Sequence, residues 1–193
     1  MYSFLRHQLL PAFALLVALS VVTGVAYPAA VTAIAQVAFP AQANGSMIVV
    51  DGKTVGSTLI GQSFSDARYL WGRPSAAGAD GYDANASAGS NLGPTSQDLI
   101  ERVTAAVDQL RAANGNAPVP VDLVTTSGSG LDPEISPAAA EYQVARIAAA
   151  RGIGEADVRA IIARHTEQPL LGLLGQPRVN VLLVNLDLDG LLR

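Results

Sequence analysis

Histidine and serine are the residue types in this sequence that would support hydrolytic chemistry. The chain contains two histidines, and only His165 lies beyond the N-terminal apolar segment. A serine-type hydrolase needs such a base beside a nucleophile and an acid. However, His165 falls near a predicted helix end, where a histidine commonly interacts with the last carbonyl groups. No Gly-x-Ser-x-Gly sequence surrounds Ser90, Ser127 or Ser129. An anchored hydrolase using His165 is therefore the least favoured alternative.

Metal and P-loop chemistry are also poorly supported. The chain has no cysteine, which excludes disulfides, thiolate metal sites and a cysteine nucleophile. A multi-histidine metal site is excluded by the histidine count. Residues 52–54 (Gly-Lys-Thr) resemble the end of a P-loop, but Met47 stands where that motif requires glycine. Asp132 and Glu134 are expected to be a turn acid and a first-turn acid, not an acid–base couple.

Two glycine- and serine-rich stretches, residues 87–96 and 127–133, offer backbone N–H groups that are able to bind phosphate. Lys53 is the only lysine, so no lysine accompanies these stretches, and tight turns at strand ends are the favoured interpretation. The chain carries 12 basic and 16 acidic residues, a net charge of −4, without a basic cluster. Nucleic-acid binding is excluded on that ground.

One apolar element must organise the chain. Residues 8–50 contain no Asp, Glu, Lys or Arg. As a helix, residues 12–35 would run about 36 Å, enough to cross a hydrocarbon core of ~30 Å. We therefore predict a transmembrane helix at residues 9–35, kinked or ended by Pro28. A cleaved signal peptide and a buried core helix are alternatives, and both normally have a shorter apolar run.

The orientation of this helix follows from the flanking charges. Arg6 precedes the span, and the first charges after it, Asp51 and Lys53, cancel. The positive-inside tendency predicts a cytoplasmic N-terminus at residues 1–8 and an extracytoplasmic domain at residues 36–193.

The remainder of the chain predicts one compact α/β domain with a small mixed sheet and about three helices. Ser136 is expected to cap one of the helices, with Pro137 at its first position. Residues 170–177 form a leucine-bearing loop. Three strand regions are predicted: a hairpin at 47–55, a strand at 119–126 and a strand at 179–188. Three helices are predicted: one from a Thr95 cap to residue 114, one at 136–151, and a short one that ends at about residue 165.

Several sequence blocks occur together in one order. They are residues 56–64 (GSTLIGQSF), 73–76 (RPSA), 89–96 (GSNLGPTS), 119–124 (VPVDLV), 127–133 (SGSGLDP), 135–140 (ISPAAA) and 177–181 (PRVNV). With these blocks, the chain resembles the C subunit of the Kdp potassium-transporting P-type ATPase over essentially its whole length. It departs from the family pattern at Ala88, where glycine is usual, at Glu134, where histidine is common, and at residues 168–169.

The resemblance implies a role in a complex. Such a subunit is non-catalytic and joins a channel-like K⁺-binding subunit, an ATP-hydrolysing P-type subunit and a small accessory peptide in the bacterial plasma (inner) membrane. It serves assembly of a high-affinity K⁺ importer and is described as a catalytic chaperone that raises the ATP affinity of the hydrolysing subunit. ATP is thus an implied shared cofactor, and K⁺ is the transported ion. The implied nucleotide contacts are Ser87, Gly89, Ser90, Asn91 and Gln143.

The predicted orientation conflicts with the implied nucleotide contacts, because ATP is cytoplasmic and residues 36–193 are expected outside. The alternative is a subunit that docks on the outer face of the channel-like subunit and influences K⁺ access without touching nucleotide.

Overall fold

The computed structural model describes residues 2–192. The chain divides into two compact units, Met1–Met47 and Ile48–Arg193. The first unit is mainly helical: α1 (Tyr2–Val21), a π-helical turn (Val22–Ala26), α2 (Tyr27–Ala38) and the short α3 (Pro40–Ala43). Within it, Phe4–Ala38 is long and apolar enough to cross a membrane, and it is exposed along its length.

Pro28 does not end this helix, which continues to Ala38. The irregularity instead precedes the proline as the π-helical turn, in which the N–H of Tyr27 donates to the carbonyl of Val22, five residues earlier. Proline lacks the N–H that an α-helix needs at this point, and its ring crowds the preceding turn. A widened turn directly before Pro28 accommodates both effects, so the helix continues past the proline.

The second unit begins with a β-hairpin, as predicted. Strands β1 (Met47–Val50) and β2 (Lys53–Ser57) pair with each other. The two connecting residues, Asp51 and Gly52, have φ values of 49° and 76°. Positive φ at both central positions is the feature of a type I′ turn, whose twist matches that of paired strands.

Helix α4 (Gln97–Asn114) follows a long irregular segment. Its N-cap is Ser96 instead of the predicted Thr95, and the Ser96 side chain makes no capping hydrogen bond. The helix ends as predicted at Gly115, which has φ +89° and donates its N–H to Arg111.

The predicted helix at 136–151 is divided in two. Ser136 caps α5 (Pro137–Tyr142) by accepting a hydrogen bond from the N–H of Ala139, as expected. The helix breaks at Gln143 and resumes as α6 (Val144–Arg151), which ends at the left-handed Gly152. Helix α7 (Glu155–Arg164) follows.

The sheet is antiparallel and small. Strand β5 (Arg178–Asn180) lies between β3 (Glu134–Ile135) and β4 (Thr166–Glu167). The α/β class is confirmed, with antiparallel pairing in place of the expected mixed sheet. The predicted strand at 119–126 was wrong, because Val121–Leu123 forms a 3₁₀ turn. The predicted strand at 179–188 was also wrong beyond Asn180, because Val181–Leu188 is helix α8. With α8, the described part of the second unit has five α-helices where about three were expected.

The hydrophobic core lies where the small sheet, α5, α6, α7 and α8 meet. Ala139, Ile147, Val158, Val179 and Val184 are fully buried there. The same core contains buried amides, among them Gln143 and Asn185, each of which is hydrogen-bonded.

Candidate functional site

Gln143 is the one predicted site residue that lies in the core, with an exposed fraction of 0%. Its Oε1 accepts from the N–H of Trp71 at 2.9 Å and from Arg146 Nη2 at 2.7 Å. Its Nε2 donates to the carbonyls of Trp71 and Ala139 at 3.1 and 3.2 Å. The amide oxygen and the amide nitrogen are therefore both hydrogen-bonded within the protein. At the break between α5 and α6, the Gln143 side chain joins α5 to the Trp71 segment.

Arg146 shares this buried polar cluster. Its guanidinium donates to Asn114, to the carbonyls of Ala67 and Tyr69, and to Gln143. It also stacks on the Trp71 ring, 3.8 Å from the ring centroid. Burial lowers the pKa of Arg146 to about 10. The carbonyl and π contacts stabilise the buried cation, since no carboxylate hydrogen-bonds it in the described part of the chain.

The other four predicted residues, Ser87, Gly89, Ser90 and Asn91, lie together in residues 87–91. This segment packs against residues 127–130, and we call the two segments the Ser-Gly loop pair. The Ser87 hydroxyl and the Ala88 N–H both donate to the carbonyl of Ser129, at 3.0 and 2.9 Å. The loops therefore use part of their hydrogen-bonding capacity on each other.

Glycine is required at the contact between the two loops. Gly130 has φ +67°, and a Cβ there would lie 2.5 Å from the carbonyl oxygen of Ala88. A Cβ on Gly89 would approach the carbonyl oxygen of Gly128 to 3.2 Å. Ala88 itself, the expected departure from the family pattern, fits beside Gly130 and makes the cross-loop hydrogen bond. Alanine at position 88 therefore does not disrupt the packing of the two loops against each other.

The long segment before α4 supports the loop pair through Ser75. The Ser75 hydroxyl donates to the carbonyl of Gly130 at 2.6 Å and accepts from the N–H groups of Ala77 and Tyr82. The Tyr82 hydroxyl donates to the carbonyl of Arg73 at 2.6 Å, and burial raises the pKa of Tyr82 to about 12. The phenol thus stays protonated as a donor at physiological pH.

Two arginines lie at the base of residues 127–130. Arg73 pairs with Asp132 at 3.0 Å and donates to the carbonyls of Thr125 and Thr126. Arg102, on α4, reaches the Thr126 hydroxyl at 3.4 Å. A cleft of about 440 Å³ opens beside Arg73, lined by both aromatic and polar side chains, including Phe64, Trp71, Ser75, Tyr82 and Gln109.

The acids Asp132 and Glu134 have structural partners. Asp132 accepts from the N–H of Glu134, and Glu134 pairs with Arg178 at 2.8 Å. The prediction that Glu134 is a first-turn acid was wrong, because Glu134 lies in β3 and the next helix begins at Pro137. Burial is the main cause that raises the pKa of Glu134, and Arg178 opposes it. In the described part of the chain, no group of three or more acidic or histidine side chains is arranged to hold a metal ion.

His165 forms a polar pair at the end of α7. Its Nε2 lies 2.8 Å from Oδ2 of Asp187, which also accepts from Arg164. Burial alone would raise the pKa of Asp187, but the hydrogen bonds from His165 and Arg164 outweigh it and lower that pKa. Within residues 2–192, no serine is seen to hydrogen-bond the His165 side chain, which pairs with Asp187. The pair joins α7 to α8, in agreement with a structural role.

The structure therefore brings four of the five predicted residues together and separates Gln143 from them. Sequence reasoning missed the supporting residues Arg73, Ser75, Tyr82 and Arg146. Arg146 was detectable in principle, because it lies on the apolar side of a helix at i+3 from Gln143. The contacts of Ser75 and Tyr82 had no local sequence pattern. Ser75 reaches Gly130 across 55 residues of chain, and Tyr82 reaches Ser75 and Arg73 through an irregular backbone.

Comparison with known proteins gives consistent matches over nearly the full length. The family described as "KdpC: K+-transporting ATPase, c chain" matches residues 9–190. The "Potassium-transporting ATPase KdpC subunit" of Sorangium cellulosum is 65% identical over 185 residues, covering 95% of this chain and 97% of that protein. The protein of the same name from Polaromonas naphthalenivorans is 58% identical over 189 residues, covering 97% and 96%. That of Herpetosiphon aurantiacus is 57% identical over 181 residues, covering 93% and 94%.

Proposed function

Because the chain belongs to the KdpC family of K⁺-transporting ATPase subunits, we propose that it is the non-catalytic docking subunit of a K⁺ importer. The chain is a subunit of that ATPase and is not catalytic alone. In this proposal it stabilises the assembled complex from outside, on the channel-like K⁺-binding subunit. The ATP-hydrolysing P-type subunit and the small accessory peptide complete the complex in the bacterial plasma membrane.

The proposal includes a topology. Residues 1–8 are cytoplasmic, residues 9–35 span the bilayer, and residues 36–193 are extracytoplasmic. Its support is the length and exposure of Phe4–Ala38 together with the single flanking charge Arg6. With this topology, the domain meets the pump on the side from which K⁺ arrives.

The docking surface in this proposal is the Ser-Gly loop pair with the neighbouring cleft. The observation that carries it is the closed, cross-bonded geometry of the two loops, in which Gly130 meets Ala88 without room for a Cβ. Such a surface is preorganised, so little conformational entropy is lost when a partner binds. Gln143 supports this surface indirectly, because its amide fixes the Trp71 segment that lines the cleft.

A second candidate is direct contact with ATP at the same loops, as a catalytic chaperone of the hydrolysing subunit. Arg102 favours it, because its guanidinium lies beside Thr126 at the base of residues 127–130. A guanidinium next to a glycine-rich turn is a suitable environment for a phosphate. In this candidate Ser87, Gly89, Ser90 and Asn91 contact the nucleotide, whereas Gln143 acts only through Trp71, since its amide is already bonded.

One labelling experiment separates the two candidates. A single cysteine at Ser90 in this cysteine-free chain is treated with a membrane-impermeant maleimide, in intact cells that contain the whole complex. The matched control is a cysteine at Ser3, at the predicted cytoplasmic end. The docking proposal expects labelling of S90C in intact cells and labelling of S3C only after lysis.

The opposite pattern would place the loops with cytoplasmic ATP and would contradict the docking proposal. In that case, ATP should protect S90C from labelling in permeabilised cells, and Arg102→Ala should remove the protection. Independently of topology, deletion of the chain should abolish K⁺-stimulated ATPase activity. Unchanged activity in the deletion strain would overturn the subunit's role in a functional pump.

A further inference from the structure

Four leucines are exposed in one loop of the domain. Leu170 and Leu174 pair through an isolated β-bridge, so residues 170–174 form a tight hairpin. Leu171 and Leu173 are each 85% exposed, and Leu170 and Leu174 are 66% and 64% exposed. We call residues 168–177 the leucine hairpin. Exposed apolar side chains that occur together in this way indicate a surface that is covered in the functional state.

Folding stability does not account for Leu171. Its φ is +55°, a left-handed conformation that is unfavourable for leucine and easily adopted by glycine or asparagine. Its side chain is almost fully exposed, so it gains little from burial within the domain. A leucine in such a position is stabilising only if it is buried against something outside the domain.

The leucine hairpin also has features that suit a nonpolar environment: internal backbone hydrogen bonds and no charged side chain. The N–H groups of Leu170, Gly172, Leu173 and Leu174 all donate to carbonyls within residues 169–174. Residues 168–177 contain no charged side chain. The charges resume at its base, where Glu167 and Arg178 pair with each other. Internal hydrogen bonds and the absence of charge lower the cost of moving such a loop from water to the membrane interface.

We propose that the leucine hairpin inserts into the headgroup–acyl boundary of the bilayer that the chain's own N-terminal helix crosses. The hairpin has an exposed tip, as insertion into lipid requires, and its Glu167–Arg178 pair suits the polar headgroup level. Only eight residues, 39–46, connect the end of α2 at Ala38 to β1 at Met47. This short tether keeps the membrane at high effective concentration, which strengthens a contact made by a few leucines.

A lipid occupant accounts better for the composition than a protein partner does. Protein interfaces combine an apolar centre with a polar rim that forms specific hydrogen bonds. Here four N–H groups of the tip donate to carbonyls of the hairpin itself, and four side chains of one type give little shape specificity. The absence of charge also predicts that insertion is independent of anionic lipid and of salt. The proposal holds for either face of the membrane and does not depend on the docking function.

The test uses the full chain reconstituted alone in phosphatidylcholine vesicles. A cysteine at Leu173 is labelled with the environment-sensitive fluorophore NBD, and the matched control carries the label at Ile100, which is 51% exposed on α4. The expected result is a blue shift of the L173C label, together with quenching by nitroxide lipids labelled near the headgroup. The Ile100 label should show neither effect. Replacing a third of the lipid by phosphatidylglycerol, or adding salt, should leave the L173C signal unchanged.

Two controls keep the outcome decisive. Leu171→Ser, combined with the L173C label, should reduce the blue shift and the quenching while thermal unfolding is unchanged, because Leu171 is exposed. A Leu173 label that emits as in water and escapes the lipid quenchers would overturn the proposal. Shielding that appears only after the other pump subunits are added would also overturn it, since the occupant would then be a protein.

Discussion

At the residue scale, a substitution of Gln143 distinguishes a structural role of this side chain from a ligand-binding role. Replacing it with alanine leaves the N–H of Trp71 and one N–H of Arg146 without partners in the core. We expect Gln143→Ala to lower the free energy of unfolding by about 2–4 kcal/mol, since buried unpaired donors and a small cavity both cost stability. Denaturant unfolding of the detergent-solubilised chain measures this change.

The matched control is Gln97→Ala, because Gln97 is exposed and its side chain bonds to Glu101 on the same helix. That variant should stay within about 0.5 kcal/mol of the parent chain. If Gln143→Ala unfolds like the control, the amide has no structural function, and a direct ligand contact at this position becomes the better explanation.

Asp187 gives a prediction about pH. Hydrogen bonds from His165 and Arg164 hold the pKa of Asp187 below its ordinary value of 3.8. Its contribution to stability is therefore complete above that value and is lost as the pH falls through the pKa of the folded state. We expect Asp187→Asn to be less stable at pH 7 and to show a smaller additional loss between pH 4 and pH 3.

Thermal unfolding midpoints measured from pH 7 to pH 3 test this expectation. Asp108, an exposed acid on α4, supplies the control variant Asp108→Asn, which should keep the pH profile of the parent chain. Parallel profiles for Asp187→Asn and the parent chain would disprove the linkage to Asp187.

At the element scale, the start of α8 depends on Asn180. Its side-chain oxygen accepts from the N–H of Leu183, and its Nδ2 donates to the carbonyl of Thr58. We expect Asn180→Ala to cost about 1–2 kcal/mol, because it removes an N-cap and an additional contact to the segment after β2. Ser96→Ala is the matched control, because the Ser96 N-cap makes no capping bond and its loss should cost less. Equal losses for the two variants would contradict the capping role of Asn180.

Asn180 also explains which parts of the fold were predictable. Capped or turn-bounded elements were found correctly: the Asp51-Gly52 hairpin, the Ser136 cap and the Gly115 helix end. Residues 179–188 were not, because a continuous apolar run buried on all sides has no useful periodicity. The strand prediction was correct only as far as Asn180, where the side chain caps a helix that the apolar run does not indicate.

In the candidate site, too, local features were predictable from the sequence and long-range contacts were not. The Ser-Gly composition predicted that residues 87–91 and 127–130 are tight loops, and their glycines do make close backbone contacts. Their packing against each other was not predictable, because it joins positions about 40 residues apart through single hydrogen bonds such as that of Ser87 to Ser129. Long-range contacts between irregular segments leave no periodic pattern in the sequence.

At the scale of the whole molecule, we expect the apolar N-terminal helix and the domain to have separate tasks. Every buried hydrophobic side chain of the described residues lies between Leu70 and Leu186, within the unit Ile48–Arg193. We expect a chain that starts at Ile48 to fold with a cooperative thermal transition close to that of the full chain, because its core is complete.

The same truncated chain should fail in the pump. Without residues 1–47 the domain is no longer tethered, and its docking changes from an effectively intramolecular to a bimolecular event, which lowers the local concentration by orders of magnitude. K⁺-stimulated ATPase activity in membranes should therefore be lost at normal expression and recover partly when purified domain is added in large excess. Replacing residues 9–35 with an unrelated single-span helix should restore most of the activity if the helix only tethers the domain. If activity stays absent although the substituted helix inserts normally, the native helix itself must contact the pump. The π-helical turn before Pro28 would then be the first place to mutate.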